Sequence, residues 1–341
     1  MTAPVEASLP STLDSEYARA ARAVEETPRD AVVLLTCHVS PDGDALGSML
    51  GFGLALRRLG FGRVSASFPE PFEVPDVFAF LPGQDLLVAP ADVPARPDLA
   101  VSFDAASPRR LGELTVALEA APQWLMLDHH VSNVGFGSVR VVEPHAAATA
   151  VLAGELIDRL GVTLDADIAT CLYVGLATDT GSFKFDTTTP RVLALAARLV
   201  EAGAAPAEVA RRVFDSRPFA AIRLLADVLA RAELDTTAAG GRGLVSAYAT
   251  RAELARHGQR PPVLESFMDV IRTAAEADVA CLLRPVGDDE WSVSLRSRGA
   301  TDVSAVAVAL GGGGHRLAAG FIGRGDAAAV LAAVRAQLDS A

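Results

Sequence analysis

The sequence predicts an α/β fold: an N-terminal, mostly parallel, Rossmann-like sheet with helices on both faces, followed by a smaller α/β domain. Three observations predict it. Strand-like apolar runs alternate with helical patterns up to about residue 130. The run AVVLLTCHV (31–39) is continuously apolar and rich in β-branched residues, as expected of a strand buried on both faces. Beyond about residue 233 closely spaced strands appear, two of them joined through GDDE in a hairpin pattern, before helices return.

The elements follow in order. Residues 1–28 read as a polar tail running into a short helix. After the strand at 31–39, ALGSMLGFGLALRRLG (45–60) has helical spacing and a glycine stop. RVSASF reads as the next strand. A proline-rich loop leads to LLVAP and PDLAVSFDAAS, both strand-like, with a helix after the second, and QWLMLDHH (123–130) is another apolar run ending in charge. Residues 146–232 read as mostly helical, with TPRVLALAARLVEAG showing proline near its start and glycine at its end. LVSAYAT, DVACLLRPV and WSVSLRS are strands, and VSAVAVALGGGGHRLAAG and DAAAVLAAVRAQL bring helices back. The resulting division is a tail (1–28), a catalytic domain (29–203), a helical linker (204–232) and a substrate-binding domain (233–341).

Composition narrows the function. The formal net charge of -12 argues against a protein that coats long nucleic acid. Short phosphorylated ligands remain open, because bound cations can supply the positive charge. Lys184 is the single lysine, so arginine abundance reflects a composition bias rather than RNA binding. Cys37, Cys171 and Cys281 each lie in an apolar segment and are expected to be buried, reduced thiols; with no CxxC, a zinc ribbon is not expected. The N-terminus lacks a basic start and an apolar h-region, and no stretch approaches the roughly 18 apolar residues of a membrane span. The expectation is a soluble, cytoplasmic protein with no membrane partner.

In parallel sheets, ligands gather at the carboxyl ends of the strands. Three strands here end in acids or histidines: at His38, Asp42 and Asp44, at Asp104, and at Asp128, His129 and His130. Asp179, in ATDTGSF, joins them. Taken singly, each Asp has an ordinary explanation as a helix cap or turn residue, and His145 and His257 read as surface histidines. Taken together, four carboxylates at one sheet edge repel unless cations or protons neutralise them. Imidazole and carboxylate without thiolate suit Mn²⁺, and less exclusively Mg²⁺, Co²⁺ or Zn²⁺. The six groups His38, Asp42, Asp44, Asp104, His129 and Asp179 divide naturally between two ions with one bridging carboxylate. Asp42 and Asp44, two apart in an extended loop, are expected to face one side and serve neighbouring ions, with Gly43 allowing a tight turn.

HVSPDGDALGS, FDAAS, DHHVSN and TDTGSF, in that order, resemble the motifs of the DHH phosphoesterase superfamily. SLRSRGATDVSAVAVALGGGGHRLAAG resembles the nucleotide-binding DHHA1 domain, and the two together cover about 30–325. Within the superfamily, the length and final GGGGHRLAAG are similar to bacterial nano-RNA ribonucleases that also act on 3′-phosphoadenosine 5′-phosphate (pAp). Relatives of those, notably actinobacterial ones, hydrolyse linear or cyclic di-adenylates. The resemblance implies that His38 and Asp42 hold one ion and Asp44, His129 and Asp179 the other, with Asp104 bridging. It implies that Asp128 orients a histidine and that His130 sits toward the scissile phosphate, so the catalytic set is Asp104, Asp128 and His130. Water activated by two metal ions, most readily Mn²⁺, would attack phosphorus. In the second domain, Arg296 and Arg298, two apart on one strand face, and Gly312, Gly313, Gly314 and His315 are the expected substrate contacts, together with His130. Arg298 stands where the family often has lysine. Phe183 is a weak stacking candidate, better read as core. The site is expected in a cleft between the domains, which favours short RNA and small adenine nucleotides over a long duplex. A homodimer and plain interdomain packing explain the apolar 146–232 region equally well. A manganese pyrophosphatase-like hydrolase and a non-catalytic nucleotide sensor are the alternatives.

Overall fold

β1 (Val32–Cys37), β2 (Arg63–Ser67), β3 (Leu99–Phe103), β4 (Gln123–Asp128) and β5 (Val139–Val142) form one sheet, all parallel, in the order β2-β1-β3-β4-β5. They belong to a computed structural model that describes residues 11–340, and the chain divides into a unit ending at Ser216 and a second beginning at Arg217. The strand order changes direction between β1 and β3, which opens a crevice beyond their carboxyl ends.

The central strands read as unbroken apolar runs because both faces are covered. Val33, Leu35, Cys37, Val101, Phe103, Leu125 and Leu127 belong to the larger core, whereas Leu34, Ala100 and Trp124 point into a smaller one on the other face. The larger core is closed by α1 (Ser11–Glu26), α2 (Gly43–Arg58) and, after the short α3 (Thr115–Glu119) of the opposite face, by α4 (Thr149–Arg159), α5 (Ala166–Asp179), α6 (Pro190–Glu201) and α7 (Pro206–Val213). The parallel sheet with helices on both faces is therefore present, with most of the helical mass on one side.

Several local expectations change. The tail before residue 28 contains the 16-residue α1, whose Tyr17 and Val24 are fully buried; residues 1–10 lie outside the described residues. LLVAP is not a strand: only Leu87 bridges to Ala66, and three short 3₁₀ turns occupy 76–92, where Pro90 and Gly83 interrupt pairing. β5 was not expected, because four residues carry too little periodicity to read. The stretch 204–232 divides between the units: Val209 of α7 sits in the first core, and Leu224 and Val228 of α8 (Phe219–Ala230) sit in a core of the second. Gly43 has no left-handed backbone and opens α2; a Cβ there would lie 2.5 Å from the Thr178 methyl carbon of α5. It serves close helix approach, not a tight turn. A Cβ at Gly47, one turn on, would likewise land on the Cys171 carbonyl.

The second unit carries β6 (Glu233–Asp235), β7 (Leu244–Tyr248), β8 (Val279–Pro285), β9 (Glu290–Ser297), β10 (Gly313–His315) and β11 (Ala318–Arg324). Their order is β10-β11-β9-β8-β7-β6; β7 and β8 are parallel and every other pair antiparallel. β8 and β9 form the hairpin expected through GDDE. GGGGHRLAAG, grouped with the returning helices from sequence, instead contributes to a second hairpin, β10 and β11. One face packs Leu283, Val293, Leu295 and Phe321 with the helices Val303–Ala309 and Ala327–Ser340, and the other packs Ala280 and Leu282 with Leu264, Phe267 and α8. All three cysteines are buried and free. Among the described residues no helix is long and apolar enough to cross a membrane.

Candidate metal centre and active site

Each acid arrives through a definite local structure. Asp42 is the N-cap of α2: its Oδ1 accepts from the Asp44 and Ala45 N–H groups at 3.1 and 3.0 Å. Its Oδ2 turns to the buried His38, 3.8 Å away at Nε2. Capping and cluster membership are thus shared by one carboxylate. Asp44 lies in the first turn of α2, so the two acids diverge on a helix rather than facing one side of an extended loop. Asp104 follows β3 with φ of 56°, a left-handed conformation that an Asp tolerates better than most side chains. Its N–H donates to the Leu127 carbonyl at 3.0 Å, which anchors it beside β4. His129 follows β4, and Asp179 ends α5.

These side chains meet at the crevice between β1 and β3. Donor atoms of His38, Asp42 and Asp104 lie within 4.8 Å of one another, as do those of Asp44, His129 and Asp179, and those of Asp104, His129 and His130. Asp104 joins the groups: its Oδ2 is 3.4 Å from His38 Nε2, and its Oδ1 is 3.5 Å from His129 Nε2 and 3.6 Å from His130 Nδ1. His129 Nε2 is 3.2 Å from Asp179 Oδ2. Ligands about 2.1 Å from one cation and at right angles stand about 3 Å apart, so these separations suit shared coordination. The Nδ1 atoms of His38 and His129 lie 2.9 and 3.1 Å from the Val39 and Ala146 carbonyls. A carbonyl only accepts, so a neutral His129 carries its proton on Nδ1 and keeps the Nε2 lone pair for a metal, whereas His38 Nδ1 also faces the Arg110 guanidinium, which only donates.

The electrostatics ask for positive charge. Burial alone would lower the histidines, but Asp104 and Asp42 hold His38 up at about 10, and Asp179, Asp44 and Asp104 hold His129 up at about 11. Burial and the charges of Asp42 and Asp104, against His129, push Asp179 up to about 6. Burial, with Asp179 and Asp104, raises Asp44 well above the carboxylate range. Against burial, the histidines hold Asp42 and Asp104 below the usual carboxylate range, so protons gather on His38, His129, Asp44 and Asp179, where cations could replace them.

A second network stands behind His130. Its Nδ1 is 2.7 Å from Oδ1 of the fully buried Asp128, whose Oδ2 accepts from Asn133 Nδ2 at 2.5 Å. Burial opposes but Asp128 prevails, raising the His130 pKa. Three further residues at the site were not singled out from sequence: Asn133, Thr149 and Arg110, whose Nη2 is 2.9 Å from His38 Nδ1. Asn133 lies inside DHHVSN and was within reach of motif reading. Thr149 and Arg110 carried no signal, being an ordinary helix start and one of many arginines.

Residues 32–176 match the DHH family N-terminal domain, and residues 242–340 match the DHHA1 domain. The chain is 36% identical over 314 residues to the bifunctional oligoribonuclease and PAP phosphatase NrnA of Thermus thermophilus, covering 91% of each. The chain belongs to the DHH family. The Bacillus subtilis protein of the same description is 23% identical over 84% of this chain and 88% of its own length. An exopolyphosphatase-related protein from Bacteroides fragilis shares the fold, with a TM-score of 0.86, 22% identity and 96% of both chains covered. As a DHH-family protein with a DHHA1 domain, the chain is a hydrolase acting on phosphoester bonds.

In the DHHA1 unit the ladder brings two expected contacts into one row. His315 of β10 pairs with Ala318 of β11, and Ala318 pairs with Arg296 of β9. Directly paired residues project to the same face, so His315 and Arg296 flank the small Ala318. Arg298 lies just past β9, exposed, with its Nη1 donating to the Ala274 carbonyl at 3.1 Å. The glycines divide in role. Gly312 packs on the Gly320 carbonyl, and Gly314 (φ 142°) has Ala319 Cα 2.5 Å from its Cβ position, whereas nothing lies within 4 Å at Gly313. Gly312 and Gly314 are required by the hairpin itself. Phe183 packs against the first core and Tyr173, as core.

Proposed function

We propose that this DHH-family hydrolase cleaves short oligoribonucleotides to mononucleotides and pAp to AMP, and also accepts pApA and cyclic di-AMP. Two divalent cations, most readily Mn²⁺, serve the reaction. His38, Asp42 and Asp104 would hold one, and Asp44, His129, Asp179 and Asp104 the other. When bound, such ions supply a water acidified toward neutral pH and neutralise charge at phosphorus. The observation that carries the reading is Asp104, which turns one carboxylate oxygen toward His38 and the other toward His129. The 36% identical relative, described as an oligoribonuclease and PAP phosphatase, supports the substrate class.

The chain's own groups then take defined parts. Asp128 accepts from His130 Nδ1 and orients the ring. Asp128 raises the His130 pKa against burial and so favours its donor form, which is assigned to a phosphoryl oxygen or to the leaving oxygen. Asn133 holds Asp128 in place. Arg296 and His315 are assigned to substrate phosphates outside the scissile bond, for which a guanidinium is well shaped.

Asp104→Asn tests the reading. With Mn²⁺ present, hydrolysis of a diribonucleotide and of pAp should fall together by about a thousandfold or more, while the melting temperature stays within a few degrees. Full activity on either substrate would remove the bridging role. A side-by-side turnover comparison of nano-RNA, pAp, pApA and cyclic di-AMP ranks the substrates.

A further inference from the structure

The start of α4 makes an unusual set of contacts. Ala148, the N-cap, offers no capping side chain. Instead the N–H groups of Thr149 and Ala150 donate to Asp44 Oδ2 and Oδ1 at 2.6 and 2.8 Å. The helix is thus capped by a carboxylate from another helix, which takes up two of its four orphan donors. Ser48 adds a third donor to Asp44 Oδ1 at 3.2 Å. The Thr149 hydroxyl, fully buried, donates to Asp104 Oδ1 at 2.9 Å.

We propose that Thr149 is a positioning residue for the metal centre: by its N–H and its O–H it ties Asp44 and Asp104 together and sets the roll of the Asp104 carboxylate. This rests on the two-cation reading above. A carboxylate's terminal torsion is soft, so an unheld Asp104 could turn both oxygens toward one histidine. The hydroxyl takes one lone pair of Oδ1 and leaves the other directed among His129 and His130, while Oδ2 remains with His38. Because the same residue holds Asp44, which lies within ligand distance of His129 and Asp179, the two halves of the cluster are kept in register by one side chain and its backbone. Outer contacts of this kind typically change metal affinity ten- to a hundredfold.

The test uses the full chain stripped with chelator and titrated with Mn²⁺ by calorimetry. Thr149→Val keeps volume and the N–H but removes the O–H. It should leave the metal-free melting temperature within a few degrees, weaken Mn²⁺ binding at one or both sites about tenfold, and lower kcat more than it changes KM; Thr149→Ser should restore both. Thr149→Ala, which leaves room for a water, serves as second variant should the valine form not fold, with the same affinity loss expected. Two Mn²⁺ bound by Thr149→Val and Thr149→Ala as tightly as by wild type would reduce Thr149 to packing and overturn the proposal alone. Wild-type protein that binds no Mn²⁺ would overturn the two-cation reading, and this inference with it.

Discussion

Asp44 sits where α2, α4 and α5 come closest, and Gly175 of α5 makes that possible. A Cβ at Gly175 would lie 2.8 Å from Asp44 Oδ1 and 2.9 Å from the Ala150 Cβ. Gly175→Ala therefore pushes on a cluster acid and on the helix start that holds it. It should cost about 1–3 kcal/mol of stability and weaken Mn²⁺ binding. Gly154, inside α4, is the contrast: nothing lies nearer than 3.7 Å to its Cβ position, so Gly154→Ala should add about 0.5–1 kcal/mol and leave Mn²⁺ binding alone. Paired melts and Mn²⁺ titrations read both; equal effects would mean that space around Asp44 is not the constraint. The acids and imidazoles of the centre were legible because three strands end in them at one sheet edge, although each Asp alone reads as a cap or turn. Thr149 was not, since a threonine at a helix start is commonplace and its partners lie 105 and 45 positions away.

At the scale of elements, the sheet edge was legible and the glycine-rich parts were not. DG at 42–43 reads as a turn, yet α2 begins there because Asp42 caps it and a glycine is needed against α5. The hairpin of β10 and β11 was hidden because its first strand is mostly glycine, which carries no alternating apolar signal. That hairpin turns a string of motif residues into geometry: the row His315, Ala318, Arg296. His315→Ala should raise KM for pAp about tenfold, with bound Mn²⁺ unchanged. Loss of metal instead would mean that the residue belongs to the metal centre, and an unchanged KM would remove it from substrate binding.

Across the whole molecule, net charge and buried charge act together. The chain carries a formal charge of -12, and its most crowded acids lie in one centre. In the metal-free fold, His38 and His129 keep their protons to about pH 10 and 11, against about 6.5 in the unfolded chain. Their raised values contribute stability that is complete below pH 6.5 and is lost as pH rises through 10 and 11. A cation held by these histidines, as proposed, would displace those protons, so its binding would strengthen as pH rises. The Mn²⁺-induced increase in melting temperature should grow from pH 6 to pH 8, accompanied by proton release in calorimetry with buffers of different ionisation enthalpy. A shift that shrinks over that range would place the metal away from these histidines.

The cluster draws on His38 at one extreme and Asp179 at the other, all within the unit that ends at Ser216. A ribosome reading this message therefore finishes every residue of the cluster while the later sheet is still untranslated. Assembly of this cluster and assembly of the later sheet become successive events in biosynthesis.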